Sequence, residues 1–301
     1  MRKVFYYFAV LAFAGCTLTA CSDSDDDNFD DGTASTEFFV PASIVDGTRV
    51  QSVGGLNATY NEDGSIAKLE NNGTTYNFEY GNGTRAAVST GRQIKRIYAN
   101  VNGAICEGTN FKFNSDGFLT AMTFHSRTID GSNYTEELNL NYALSYDGTG
   151  HLASNKITGN VKWNEDGESG DENVNTTVNF TWENGNLTSS SASTNVASVN
   201  TTLDYGTEAN TFNLTTPAMA GVIGFMSDDP ILTALSMLGF TGNSSAMLPV
   251  KLVCKITDED GTDTDVSNFT YTFNPDHSVD IINVTDGYGS TYNFKYVYYK
   301  K

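Results

Sequence analysis

Basic side chains are scarce in this chain. Its 301 residues carry 17 Lys and Arg against 36 Asp and Glu, a formal charge of -19 at pH 7. Such a charge repels phosphate backbones and anionic headgroups, which excludes nucleic acid as a partner. Proline is scarcer still, at 5, and charged residues of both signs make up only 18%. Long Lys/Glu-rich helices cannot be built from that composition, so an all-helical protein is excluded as well. Of the three histidines, His125, His151 and His277, no two stand at the i, i+2 or i, i+4 spacing of a metal pair. There is no Gly-x-Ser-x-Gly elbow to present a nucleophile. The stretch Asp258 to Asp265 has the composition of a calcium loop without the EF-hand order or its closing Glu, and reads as a solvated hairpin tip. No catalytic residue, metal ligand or cofactor follows from these patterns, and the expectation is a protein that is not an enzyme.

Apolar runs are short. The first, Val4 to Gly15 behind Arg2 and Lys3, has the length of a secretory h-region and falls below the ~20 residues of a membrane span. It ends in Leu18-Thr19-Ala20-Cys21, which resembles a bacterial lipobox. That resemblance implies a signal peptide over residues 1–20, removal of that peptide, and a diacylglycerol and palmitate anchor on Cys21. Ser22, Asp23, Ser24, Asp25, Asp26 and Asp27 follow, within a stretch (21–36) too acidic and too poor in apolar residues to fold alone. The run resembles the acidic export signal of surface-exposed lipoproteins of the Bacteroidota, with a plain spacer on a periplasmic lipoprotein as the alternative. The expected location is therefore the outer membrane, lipid-anchored and displayed at the cell surface.

Residues 37–301 read as a single β-rich domain. Asp-Gly and Asn-Gly pairs, from Asp46 and Asp63 to Asn184 and Asp286, punctuate stretches of alternating apolar and polar residues, which is the hairpin signal. Tyr76, Phe78 and Tyr80 alternate with Thr75, Asn77 and Glu79, and Tyr292, Phe294, Tyr296 and Tyr298 repeat the pattern, so one face is buried and one is wet. An aromatic residue, a turn and an aliphatic residue recur as a unit: Tyr60 to Ile66, Phe113 to Leu119, Tyr146 to Leu152, Trp182 to Leu187 and Phe273 to Val279. The copy Tyr146-Asp147-Gly-Thr-Gly150-His151-Leu152 resembles a YD repeat of the Rhs type. His151 and His277 are expected at equivalent turn positions of two copies. Trp163 and Trp182 border turns and are candidate ligand platforms, packing being the competing use.

Pro217 to Gly239 breaks the alternation. Asp228 or Asp229 can cap a helix begun by Pro230 and ended by Gly239, so two short helices are expected, covering the sheet's apolar face or plugging a barrel end. The fold expectation is all-β: a large curved antiparallel meander or soluble barrel-like sheet with this short helical insertion (217–239). Cys106 and Cys254 are the cysteines beyond Cys21, and two buried free thiols are expected over a disulfide between them.

The lipobox, the acidic run, these hairpins, the insertion leading into Leu238-Gly239-Phe240-Thr241-Gly242 and the ending Tyr292-Asn-Phe-Lys-Tyr-Val-Tyr298 together resemble Bacteroidota lipoproteins carrying a domain of unknown function with a porin-like fold. The resemblance implies a strongly curved antiparallel sheet and brings no catalytic residues. It does not imply a pore. A non-enzymatic binding module for an apolar ligand or glycan is the expected function; a structural or adhesive surface module and a hydrolase are the alternatives.

Overall fold

The computed structural model describes residues 49–53, 56–61, 66–71, 74–81, 93–101, 104–130, 134–194, 196–224 and 229–299. Cys21 and the run Ser22 to Asp27 lie outside the described residues.

Among the described residues sixteen strands follow one another around the sheet in chain order. They are β1 (Arg49–Val53), β2 (Leu56–Tyr60), β3 (Ile66–Asn71), β4 (Thr74–Gly81), β5 (Gln93–Val101), β6 (Ala104–Phe113), β7 (Leu119–Asp130) and β8 (Tyr134–Tyr146). After these come β9 (Leu152–Glu165), β10 (Glu168–Glu183), β11 (Asn186–Ser193), β12 (Ser198–Ala209), β13 (Met247–Asp258), β14 (Gly261–Phe273), β15 (Val279–Thr285) and β16 (Thr291–Tyr299). Every neighbouring pair is antiparallel, and β1 pairs back onto β16 from Arg49↔Tyr299 to Val53↔Tyr296, which closes the sheet into a barrel. Closure removes the edges that an open meander would expose.

An up-and-down barrel has two rims, and the sequence repeat marks one of them. Each aromatic residue sits at the end of an even-numbered strand and pairs with the aliphatic residue opening the next: Tyr60↔Ile66, Phe113↔Leu119, Tyr146↔Leu152, Trp182↔Leu187 and Phe273↔Val279. A register shift precedes each of these pairs, with the extra residue on the strand of the aliphatic, so the bulge turns the aliphatic inward beside an aromatic that already faces the lumen. The rings then stitch the rim together. Tyr80, Tyr146, Tyr205 and Tyr298 donate their hydroxyls to the carbonyls of Ile66, Leu119, Leu187 and Val279, and Trp182 Nε1 donates to Leu152, each one hairpin back along the wall. Burial pushes the Tyr205 phenol up to about 12, as expected for a hydroxyl held inside and un-ionised.

The turns at this rim correct one expectation. In Asn114–Phe118, Asp147–His151 and Asn274–Ser278 the first residue's amide donates to the fifth carbonyl and its carbonyl accepts from the fourth amide, and the fourth residue is Gly117, Gly150 or His277, each at positive φ. His277 thus occupies the place of Gly150, while His151 matches Ser278. The shared Leu/Val ending had concealed a one-residue offset.

The two faces of the wall are chemically opposite. Inward positions of β8 are Leu138, Leu140, Tyr142 and Leu144, all buried, whereas the outward positions of β10 read Asp171, Asn173, Asn175, Thr177, Asn179, Thr181 and Glu183. A bilayer-spanning barrel needs the reverse, an outward apolar band ~25 Å tall. This wall is built to face water outside and to hold its core inside.

The helical insertion fills the rim that the repeat marks. Helix α1 (Pro217–Gly224) and helix α2 (Pro230–Met237) bury Met219, Ala220, Ile231, Leu232 and Leu235 almost completely. Of the two candidate caps, Asp229 takes the role: its Oδ1 accepts from the Ile231 and Leu232 amides, and Pro230 stands in the first turn. Beyond Leu238, Gly239 N–H bonds Ser236 O and Phe240 N–H bonds Leu235 O, a Schellman closure. Residues 240–246 then run along the rim as a strap. The Leu119 amide donates to Phe240 O, the Asn243 amide to Gly150 O, and the Ala246 amide to Gly185 O, so three successive hairpins are tied to one segment. Of the two uses expected for the insertion, it plugs a barrel end.

Candidate functional site

Among the described residues nothing plugs the opposite rim, and burial along single strands falls toward it. Inward residues of β10 go from Phe180, Val178 and Thr176, buried, through Val174, Glu172 and Gly170, half-buried, to Glu168, exposed. On β14 the inward file runs from Phe269 and Ser267, buried, to Asp265, half-buried, and Asp263, exposed. The barrel is therefore a cup, closed by α1 and α2 and opening at the other end.

Its lip is uneven because its strands differ in length. Strands β7 to β10 run for 12, 13, 14 and 16 residues and β13 and β14 for 12 and 13, whereas β1 to β3 have five or six. Two raised sections of wall result. The first is turned at its tip by Asp166-Gly167, with φ of 50° and 87°, the paired left-handed residues that a two-residue hairpin demands.

On the inner face of β8–β10, Glu136 pairs with Trp163 and Trp163 with Gly170. A Cβ at Gly170 would lie 2.5 Å from the indole, so the ring rests directly on the glycine backbone and no larger residue fits beneath it. Trp163 Nε1 is buried there without a hydrogen-bond partner. Tyr134 Oη donates to Glu136 Oε2 at 2.9 Å, and burial, outweighing that bond, raises the Glu136 carboxyl above its ordinary range. One row deeper, Leu138 and Glu172 flank Val161. An aromatic platform, a phenol and two carboxylates thus share one concave patch.

On the second raised wall, Thr201, Cys254 and Asp265 stand side by side on β12, β13 and β14. Burial pushes the Cys254 thiol up to about 11, which makes it a poor nucleophile at neutral pH. Cys254 and Cys106 are both buried and are not joined by a disulfide, as the sequence reading held. Asp265 is raised by burial first and by Asp263 and Asp286 second. Ser267, fully buried two residues deeper on the same file, has a hydroxyl with no partner.

The other residues singled out in the sequence lie elsewhere. Trp182 is packed, stacked on His151 with ring centroids 4.3 Å apart, at the plugged rim. His125 projects outward and bonds Asn139 at 2.9 Å. The Asp258 loop is a hairpin tip whose Oδ1 accepts from the Asp260 and Gly261 amides. Among the described residues no three His, Cys, Asp or Glu side chains gather as a metal set. The mouth escaped the sequence reading because its members come from β8, β9, β10 and β14, and only Trp163 carried a local signal.

No protein-family model and no curated protein matches the chain. Solved structures do. A porin-like protein from Bacteroides vulgatus ATCC 8482 is similar at 15% identity with a TM-score of 0.54, over 89% of this chain and 100% of that one. A porin-like protein from Bacteroides uniformis ATCC 8492 aligns at 15% identity and a TM-score of 0.48, over 89% and 97%. At this identity the likeness to the first is one of fold: a large antiparallel β-structure, as the sequence led us to expect.

Proposed function

We propose that this protein is a non-enzymatic binding module, lipid-anchored through Cys21 at the outer membrane and displayed at the cell surface by Ser22 to Asp27. The observation that carries the binding reading is the cup, whose mouth, unplugged among the described residues, holds the half-buried Trp163 over Gly170 beside Tyr134 and Glu136. Concave sites with an apolar platform and a few placed polar groups are what small ligands and glycan units require. The anchor fits this geometry. Arg49 pairs with Tyr299 at the plugged rim, so the chain from Cys21 joins the barrel at the end away from the mouth.

Native mass spectrometry of the mature protein, with extraction of whatever is bound, tests the reading together with Trp163→Ala. A retained small molecule that Trp163→Ala loses is the expected result. A ligand retained equally by the variant would move the site out of the mouth. Surface display is tested separately: neutralising Asp23, Asp25, Asp26 and Asp27 should protect the domain from proteinase added to intact cells.

A further inference from the structure

The charges of the barrel are sorted by face. Lys68, Arg96, Lys112, Arg127, Lys156, Lys162, Lys251, Lys255 and Lys295 pair across the sheet with outward residues, such as Lys162 with Glu137 and Asp171, or Lys255 with Asn200 and Thr264. Among the described side chains the inward files at the mouth carry only acids: Glu136, Glu165, Glu168 and Glu172 on one raised wall, Asp263 and Asp265 on the other. Solubility alone would scatter both signs over both faces, since a net charge does not require sorting.

We propose that the mouth receives an organic cation, an amine or quaternary ammonium group carried on a small apolar or aromatic body. This rests on reading the mouth as the binding site and names the class of ligand it takes. Three features converge on it. A cation over Trp163 gains a cation–π attraction, with Glu136 beside that ring in the sheet register and Glu172 one row deeper on β10. The Ser267 hydroxyl, fully buried in file with Asp263 and Asp265 and lacking a partner, can accept from an ammonium N–H. Asp265 is held above its ordinary range by burial and by its acidic neighbours, a repulsion that a bound cation relieves. Low-dielectric walls lined by one sign also focus the field and draw counter-charged ligands in.

The test compares benzylammonium, benzyl alcohol and benzoate, which share a ring and differ in charge, by ligand-observed NMR titration of the full mature protein. Benzylammonium should bind at least about tenfold more tightly than benzyl alcohol at low salt, with benzoate weakest, and 0.5 M NaCl should shrink the preference as the Debye length contracts to a few ångströms. Glu136→Gln with Glu172→Gln should abolish the preference; Asp265→Asn, on the other wall, serves if that pair fails to fold. Equal binding of benzyl alcohol and benzylammonium, weakened by Trp163→Ala, would overturn the cation and leave the mouth standing. Binding of none of the three would overturn the cation, and unaltered ligand retention by Trp163→Ala in the mass spectrum would overturn the mouth.

Discussion

Asp147 shows how much one turn residue is asked to do. Its Oδ1 accepts from the amides of Thr149 and His151 and from Thr149 Oγ1, so three donors converge on one oxygen. Burial alone would raise this carboxyl; the bonds from Thr149 and His151 outweigh it and lower it to about 2. A depressed folded value contributes stability above the unfolded value of ~4, and that contribution is lost as pH falls toward 2. Asn114 and Asn274 fill the same place in the sister turns, so Asp147→Asn should keep the turn and lose only the carboxylate's share. Urea midpoints should then favour the wild type at pH 7 and converge by pH 2. An equal gap at both pH values would assign the difference to shape.

Asn155 presents the contrary case. It is fully buried on the inner face between Leu144 and Val178, and neither of its carboxamide atoms has a hydrogen-bond partner. An unmet buried amide costs about 1–3 kcal/mol, whereas an apolar side chain of its size costs nothing of that kind. Asn155→Leu should raise the stability by roughly 1 kcal/mol or more. A loss of stability on chemical denaturation would mean that the polar group holds an ordered partner inside the cup.

Among the elements, α2 draws its order from the barrel. Eight residues are too few for a stable isolated helix, so Asp229 at its cap and the burial of Ile231, Leu232 and Leu235 hold it in place. Leu235→Asp puts an unpaired charge where exposure is 0%, and should lower stability by about 3 kcal/mol or more. An unchanged melting temperature would show the plug to be detachable from the wall. This helix was readable in the sequence because capping and termination are local: Asp, Pro and Gly mark its ends. The rim hairpins were readable for the same reason. The raised walls were not, because how far β10 extends depends on β9 matching it residue for residue from Glu168↔Glu165 to Asn179↔Ser154, while β11 joins only from Asn179↔Ser191 onward. Pairing length is a property of two strands together. The residues of β10 left with one neighbour carry Glu168, Asp171 and Glu172, charges that discourage another chain from adding to that edge.

For the molecule as a whole, the sorting of apolar residues inward and polar residues outward decides how it can meet a membrane. Arg127, Lys156, Lys162 and Lys251 project from the wall, and each would cost ~2–4 kcal/mol at a bilayer midplane. No helix among the described residues is long and apolar enough to cross. On the proposed reading membrane attachment rests on lipid at Cys21, and a chain begun at Ser22 behind a cleavable leader without a lipobox should leave the membrane altogether. In detergent phase partition the wild type should enter the detergent phase and the unanchored chain the aqueous phase, with the barrel folded in both by circular dichroism. The comparison is sharp because anchoring by acyl chains scales with the methylenes buried, whereas insertion of a wall would persist without them. Retention of the folded, unanchored chain in the detergent phase would show that the wall itself enters the bilayer and that the outward polar face is not what keeps it in water.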